Sequence, residues 1–208
     1  MNAIVLDVEI QKCIPDKWNA NASSEINPIT GHPYLFCEGW EDHAGMGIGC
    51  VCVWDCLENM PLVFDWSNIG ELKALIQQRQ LVVGFNTINF DNKVLAANNV
   101  EIPTWKSFDL FAEVLKVEGL ERSDGGRTVD DFARVNFGMQ KSAHGSEAPK
   151  MYQRGEIARL HSYCLRDVML ERRLWVRAVE GTLIHPKTRK VIELPIPEAF
   201  RKVKAAQG

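Results

Sequence analysis

Five residues of the kinds that hold metal ions and orient water stand in three short segments. They are Asp7 and Glu9 in IVLDVEI, Asp91 in LVVGFNTINFDNKVL, and Tyr163 with Asp167 in HSYCLRDVMLERRL. Each acid lies inside or beside an apolar run, where an ionised carboxylate is rarely placed without a compensating cation. Carboxylate oxygens suit hard divalent ions, and paired ions of that type clamp and hydrolyse phosphodiesters. Taken singly, each acid has an ordinary structural use. Their joint placement points to one shared metal site and to phosphoryl chemistry on nucleic acid.

The elements that must position them can be read from pattern. Asp7 and Glu9 alternate within Ile4, Val5, Leu6, Val8 and Ile10, so a buried strand puts both carboxylates on one face. Residues 81–85 read as a second buried strand, broken at Gly84, with Asn86 and Asn89 expected to cap a helix through Lys93, Val94, Leu95 and Ala97. Asp91 then falls in or near the first turn, where the helix dipole alone favours a carboxylate. Residues 156–179 contain no Gly or Pro and read as one long helix. Leu160, Tyr163, Asp167, Leu170 and Leu174 form its apolar-side stripe, while Glu171, Arg172 and Arg173 are expected to reach solvent. Tyr163 and Asp167 are neighbours at i and i+4, and Arg166 is the charge partner Asp167 could use without a metal. In this order the elements predict an α/β fold, a mixed sheet flanked by helices.

On these motifs the chain resembles the tyrosine branch (DEDDy) of the DEDD 3′–5′ exonuclease superfamily, with a ribonuclease H-like fold. Asp7 and Glu9 match the first motif, Asn86 and Asp91 the second, and Tyr163 with Asp167 the third. The histidine branch would need His at position 162, which is Ser162. SFDLFAEVL and the stretch from TVDDFARVNFG to KSAHG are similar to exonuclease domains of family B DNA polymerases. The likeness covers about residues 1–10 and 45–176. Two features depart from it: Ile10 stands where the first motif usually has Thr, and residues 11–44 exceed a tight hairpin. The resemblance implies two Mg²⁺ or Mn²⁺ ions held by Asp7, Glu9, Asp91 and Asp167, with Asp7 bridging and Tyr163 orienting the attacking water. It implies nucleoside 5′-monophosphates released from a 3′ end, with single-stranded DNA favoured and RNA possible. Asn86 and Lys141 are the expected substrate contacts. The alternative is a ribonuclease H-like module that binds nucleic acid or a partner without cutting.

The 208 residues, 46% hydrophobic, are enough for one domain over 1–208, with 11–44 as an insertion or flap and 180–208 as a basic C-terminal extension. No repeat, membrane-spanning run or signal peptide is apparent, and a cytoplasmic location is expected. Six cysteines without a CxxC pair read as reduced core thiols, and a zinc site from Cys13, His32, Cys37 and His43 matches no compact finger. A net charge of −3 argues against a sequence-independent grip on phosphates, although four of the negative charges belong to the proposed metal ligands. Lys141, Lys150 and Arg154 form a local basic cluster before the last helix, and the tail LIHPKTRKVIEL reads as two short strands around a basic turn. Asp109 and the Asp130–Asp131 pair are expected to cap helices. Phe85, Phe90 and Trp105 are the aromatic rings available to stack on a terminal base. GMGIG at 45–49 leads into a strand rather than a helix, which excludes a dinucleotide fingerprint.

Overall fold

The alternation in residues 3–10 divides the molecule in two. In the computed structural model, which describes residues 1–15, 25–121, 125–139 and 145–201, strand β1 (Ala3–Ile10) is central to a five-stranded sheet. Its even residues, Ile4, Leu6, Val8 and Ile10, pack with Leu72, Ile76, Val94 and Leu95 on one side. Its odd residues Ala3 and Val5 pack with Phe108, Leu110, Leu174 and Trp175 on the other. The odd face also carries Asp7 and Glu9, as the period of two requires.

β1 pairs antiparallel with β2 (Ile48–Asp55), which pairs antiparallel with β3 (Met60–Phe64). On its other edge β1 runs parallel to β4 (Leu81–Gly84), and β4 runs parallel to β5 (Ser107–Asp109). The order is β3-β2-β1-β4-β5. Helices α1 (His43–Met46), α2 (Ile69–Gln78) and α3 (Asp91–Ala97) cover the even face of β1. The other face is covered by α4 (Leu110–Glu118), α5 (Val129–Phe137), α6 (Ala148–Gln153) and the long α7 (Ile157–Val179). This is the α/β, ribonuclease H-like architecture expected from the sequence.

Buried polar groups fix the joints. The Lys106 ammonium donates to the carbonyls of Ile76, Gln77 and Arg79 at 2.8–2.9 Å, satisfying groups that the end of α2 leaves open. Asp109 caps α4 through the amides of Phe111 and Ala112, and Thr128 with Asp131 forms a capping box on α5. Arg79 makes two bonds to Asp55, Nε–Oδ1 at 3.1 Å and Nη2–Oδ2 at 2.6 Å. Burial pushes the Asp55 carboxyl up, but Arg79 and the amides of Leu57 and Glu58 together pull it further down, and it lies below its usual range.

Several expectations are corrected. Asn86 and Asn89 do not cap α3: Asn86 adopts a left-handed backbone, φ 63°, its side chain bonds Asn89, and no side chain caps the helix. Glu171 does not reach solvent but is 4% exposed, because the buried face of α7 continues through Cys164, Val168, Glu171 and Trp175. The tail forms a single bridge, Ile184 to Val191, since Pro186 and the tight turn leave no room for a ladder. Beyond that bridge Leu194, Ile196 and Phe200 pack into the core, so the extension is part of the fold as far as Arg201.

Lys150 and Arg154 belong to α6 and its cap rather than to a loop, and both cations are engaged. Lys150 pairs with Glu25 at 2.5 Å, and Arg154 pairs with Glu156 and donates to the Tyr34 hydroxyl. In the insertion, Gln11 and residues 25–35 dock on α6, while Cys37 packs with the layer on the even face of β1. Gln153 donates to the carbonyls of Gln11 and Leu35 and accepts from the Leu35 amide.

Candidate active site

α7 lies across the odd face of β1 and β2, and its buried stripe brings Asp167 down to the two strand carboxylates. One oxygen from each of Asp7, Glu9 and Asp167 lies within 4.8 Å of the others. Oxygens bound to one hard divalent ion, at about 2.0–2.6 Å each, fall within such a spacing. Three carboxylates gathered this closely, with Glu9 9% and Asp167 4% exposed, also repel one another unless a cation lies among them. The donor set therefore fits a Mg²⁺-type ion. Tyr163, one helical turn before Asp167, is buried on the same face of α7.

Asp91 arrives from the opposite layer. It opens α3 and is 5% exposed, and its Oδ1 accepts the Val8 amide at 2.9 Å, which places it beside Asp7 but outside the tight trio. Its oxygen is thus committed across the sheet to β1, beyond the helix-capping use that its position in the sequence allows. The turn before it is held by a residue that sequence reasoning gave only a supporting place. Asp109 accepts the Asn86 amide at 2.7 Å and the Ile88 amide at 3.0 Å as well as capping α4. Burial pushes the Asp109 carboxyl above its usual range, against the pull of these four amides.

Gly84 makes the close approach possible. A Cβ there would lie 2.3 Å from the Thr87 methyl carbon, 2.9 Å from the Leu6 carbonyl oxygen and 3.6 Å from a Glu171 carboxylate oxygen. Only glycine lets β4 pass this near to β1 and to the turn that carries Thr87.

The other expected residues divide. Asn86 stands in the turn after β4, its backbone engaged by Asp109 and its side chain by Asn89. Lys141 and His144 lie outside the described residues. Phe85 packs between Phe111 and Phe132 and is a core ring rather than a stacking platform. Phe90 meets the exposed Trp40 edge-on at 6.2 Å, next to Asp91. Trp105 is 74% exposed but precedes β5, at the end of the parallel strands away from the carboxylates.

The sequence reading missed a cluster of thiols. On β2, Cys52 is paired with Asp7 and Cys50 with Glu9, and Cys164 of α7 reaches both the Cys pair and Asp7, its Sγ 3.4 Å from Asp7 Oδ2. Hydrogen bonds from Cys164 and then Cys50 lower the Cys52 thiol to about 6, while burial pushes Cys164 well up. The signal was the Cys50–Cys52 alternation beside a cysteine on the α7 stripe. It becomes visible only once β2 is known to lie under that helix.

No protein-family model matches the chain, and no curated protein matches it. Among solved structures it is similar to the family B DNA polymerase from the hyperthermophilic archaeon Pyrobaculum calidifontis, with a TM-score of 0.56 and 12% identity. The likeness is one of fold. It takes in 90% of this chain and 26% of the polymerase chain, so the chain spans about a quarter of that polymerase's length. Among the described residues no helix is long and apolar enough to cross a membrane.

Proposed function

We propose that this chain is a metal-dependent 3′–5′ exonuclease acting on single-stranded nucleic acid, DNA in preference to RNA. The observation that carries the reading is the meeting of Asp7, Glu9 and Asp167 on one face of the sheet, under the helix turn that bears Tyr163. Asp7, Glu9 and Asp167 would hold one Mg²⁺ or Mn²⁺ ion, and Asp7 would share a second with Asp91. Such ions, when bound, supply hydroxide at neutral pH and stabilise charge on the departing 3′ oxygen. The Tyr163 hydroxyl orients the attacking water. Asn86, in the turn at the end of β4, and Lys141 contact the substrate strand. The product is a nucleoside 5′-monophosphate.

The test is a time course on a 5′-labelled single-stranded DNA oligonucleotide, and on its RNA counterpart, with Mg²⁺, Mn²⁺ or EDTA. A ladder shortening from the 3′ end with either metal, and absent in EDTA, is expected. DNA and RNA both left intact under every condition would overturn the proposal.

A second reading, a binding module that does not cut, is favoured by one observation. The net charge is −3, and Lys150 and Arg154 already have acidic partners. It predicts a module that binds a protein partner rather than an oligonucleotide and yields no products with any metal.

A further inference from the structure

Beside the carboxylates lies a second gathering of ligand atoms that hydrolysis does not use. Cys50 and Cys52 alternate along β2 and share a face, and Cys164 comes down on them from α7. All three are buried free thiols, with sulfur atoms within 4.8 Å of one another. A tetrahedral ion about 2.3 Å from each sulfur holds the sulfurs about 3.8 Å apart, so closing on one asks for movement of about 1 Å at most.

A fourth donor stands one helical turn away, its ring nitrogens outside the 4.8 Å group that the three sulfurs form, so it would complete the site by turning in. His161 precedes Cys164 by one helical turn, and the two share a side of α7. Its buried Nε2 makes no hydrogen bond among the described residues, and the Cys52 Sγ lies 3.8 Å from its carbonyl oxygen. His161 is half-buried, which gives an ion a way in from the surface. Packing of cysteines as small apolar groups would account for their burial. It would not account for three of them converging from two elements, one helical turn from a buried imidazole nitrogen that lacks a hydrogen bond.

We propose that Cys50, Cys52, Cys164 and His161 bind one thiophilic metal ion of the Zn²⁺ type, in a site separate from the carboxylate site. Soft thiolates with one imidazole select such an ion over Mg²⁺, and the three-cysteine, one-histidine set is a closed, structural type. The ion fastens β2 to the helix that carries Tyr163 and Asp167. With Cys164 Sγ 3.4 Å from Asp7 Oδ2, the two sites share a wall. The proposal does not depend on the chain being a nuclease.

The test uses the full chain, reduced and stripped of metal, titrated with Co²⁺ as a spectroscopic probe in excess Mg²⁺ to fill the carboxylate site. Sulfur-to-cobalt charge-transfer absorption that saturates at one equivalent and is abolished by Zn²⁺ is expected. Cys50→Ser should remove the band, and His161→Ala should weaken Co²⁺ binding by at least about tenfold. A Cys13→Ser, Cys37→Ser double variant, altered in the insertion, should keep it. Absence of the band in the folded wild-type chain overturns the proposal whether or not the variants fold. So does a band that survives Cys50→Ser, or Co²⁺ affinity unchanged by His161→Ala.

Discussion

An apolar residue at position 167 would satisfy the packing of α7 on the sheet, yet a carboxylate stands there, 4% exposed and beside Asp7 and Glu9. Asp167→Asn keeps the volume and removes the charge. It should lower metal-dependent hydrolysis on the order of a thousandfold while the circular dichroism melt without metal stays at or above that of the wild type. Full activity in this variant would remove the trio from the mechanism. Tyr163→Phe removes one hydroxyl and leaves the ring in place. A single water-orienting hydrogen bond is worth about 1.4 kcal/mol, so kcat should fall about tenfold with KM unchanged. Loss of affinity at unchanged kcat would mean that Tyr163 holds substrate rather than water. These residues were legible in the sequence because periods of two and of four put them on shared faces before any tertiary contact is known. Glu171 was misread for the opposite reason: its charge suggested solvent, although it continues the same face four residues after Asp167.

At the scale of elements, the site is a joint between β1, β4 and α7, and at Gly84 the backbone of β4 passes close to that of β1. Gly84→Ala sets a Cβ 2.9 Å from the Leu6 carbonyl oxygen, and backbone cannot rotate away as a side chain can. The strands must separate, at about 1–3 kcal/mol. A lower urea midpoint is expected, with weaker Mn²⁺ binding as β1 and its carboxylates move from under α7. An unchanged midpoint would show that the approach of β4 to β1 is not constrained. Sequence pattern found β1, β4 and α7 because each is long or strongly apolar for its type. It could not find how residues 11–44 dock. That contact rests on Gln153 bonding the backbone at Gln11 and Leu35, more than a hundred residues away, and no local period records such a pairing. The cysteine cluster was hidden in the same way, since neither β2 nor α7 alone announces that they meet.

For the molecule as a whole, resistance to acid should depend on buried or half-buried carboxylates held by arginine. Asp55 with Arg79 ties β2 to the end of α2, Glu118 with Arg127 ties the end of α4 to the segment before α5, and both carboxyls lie below their usual range. Arg127 is the main cause for Glu118; for Asp55, burial raises the carboxyl, and Arg79 and the amides of Leu57 and Glu58 together outweigh it. A folded-state value below the unfolded one means that the stabilisation is complete above about pH 4 and is lost as pH falls through the folded value. Asp109, raised by burial, has the opposite sign, so the comparison must be made between variant and wild type at each pH, where its contribution cancels. Asp55→Asn leaves the Arg79 guanidinium buried beside a neutral amide. At neutral pH this should cost about 3–5 kcal/mol in urea unfolding. As pH falls below the usual carboxylate range, Asp55 takes up a proton, the wild-type pair is lost, and the gap between the two proteins should narrow. A gap that stays constant from neutral pH into that range would mean that Asp55 stabilises the fold by shape and hydrogen bonding alone, without its charge.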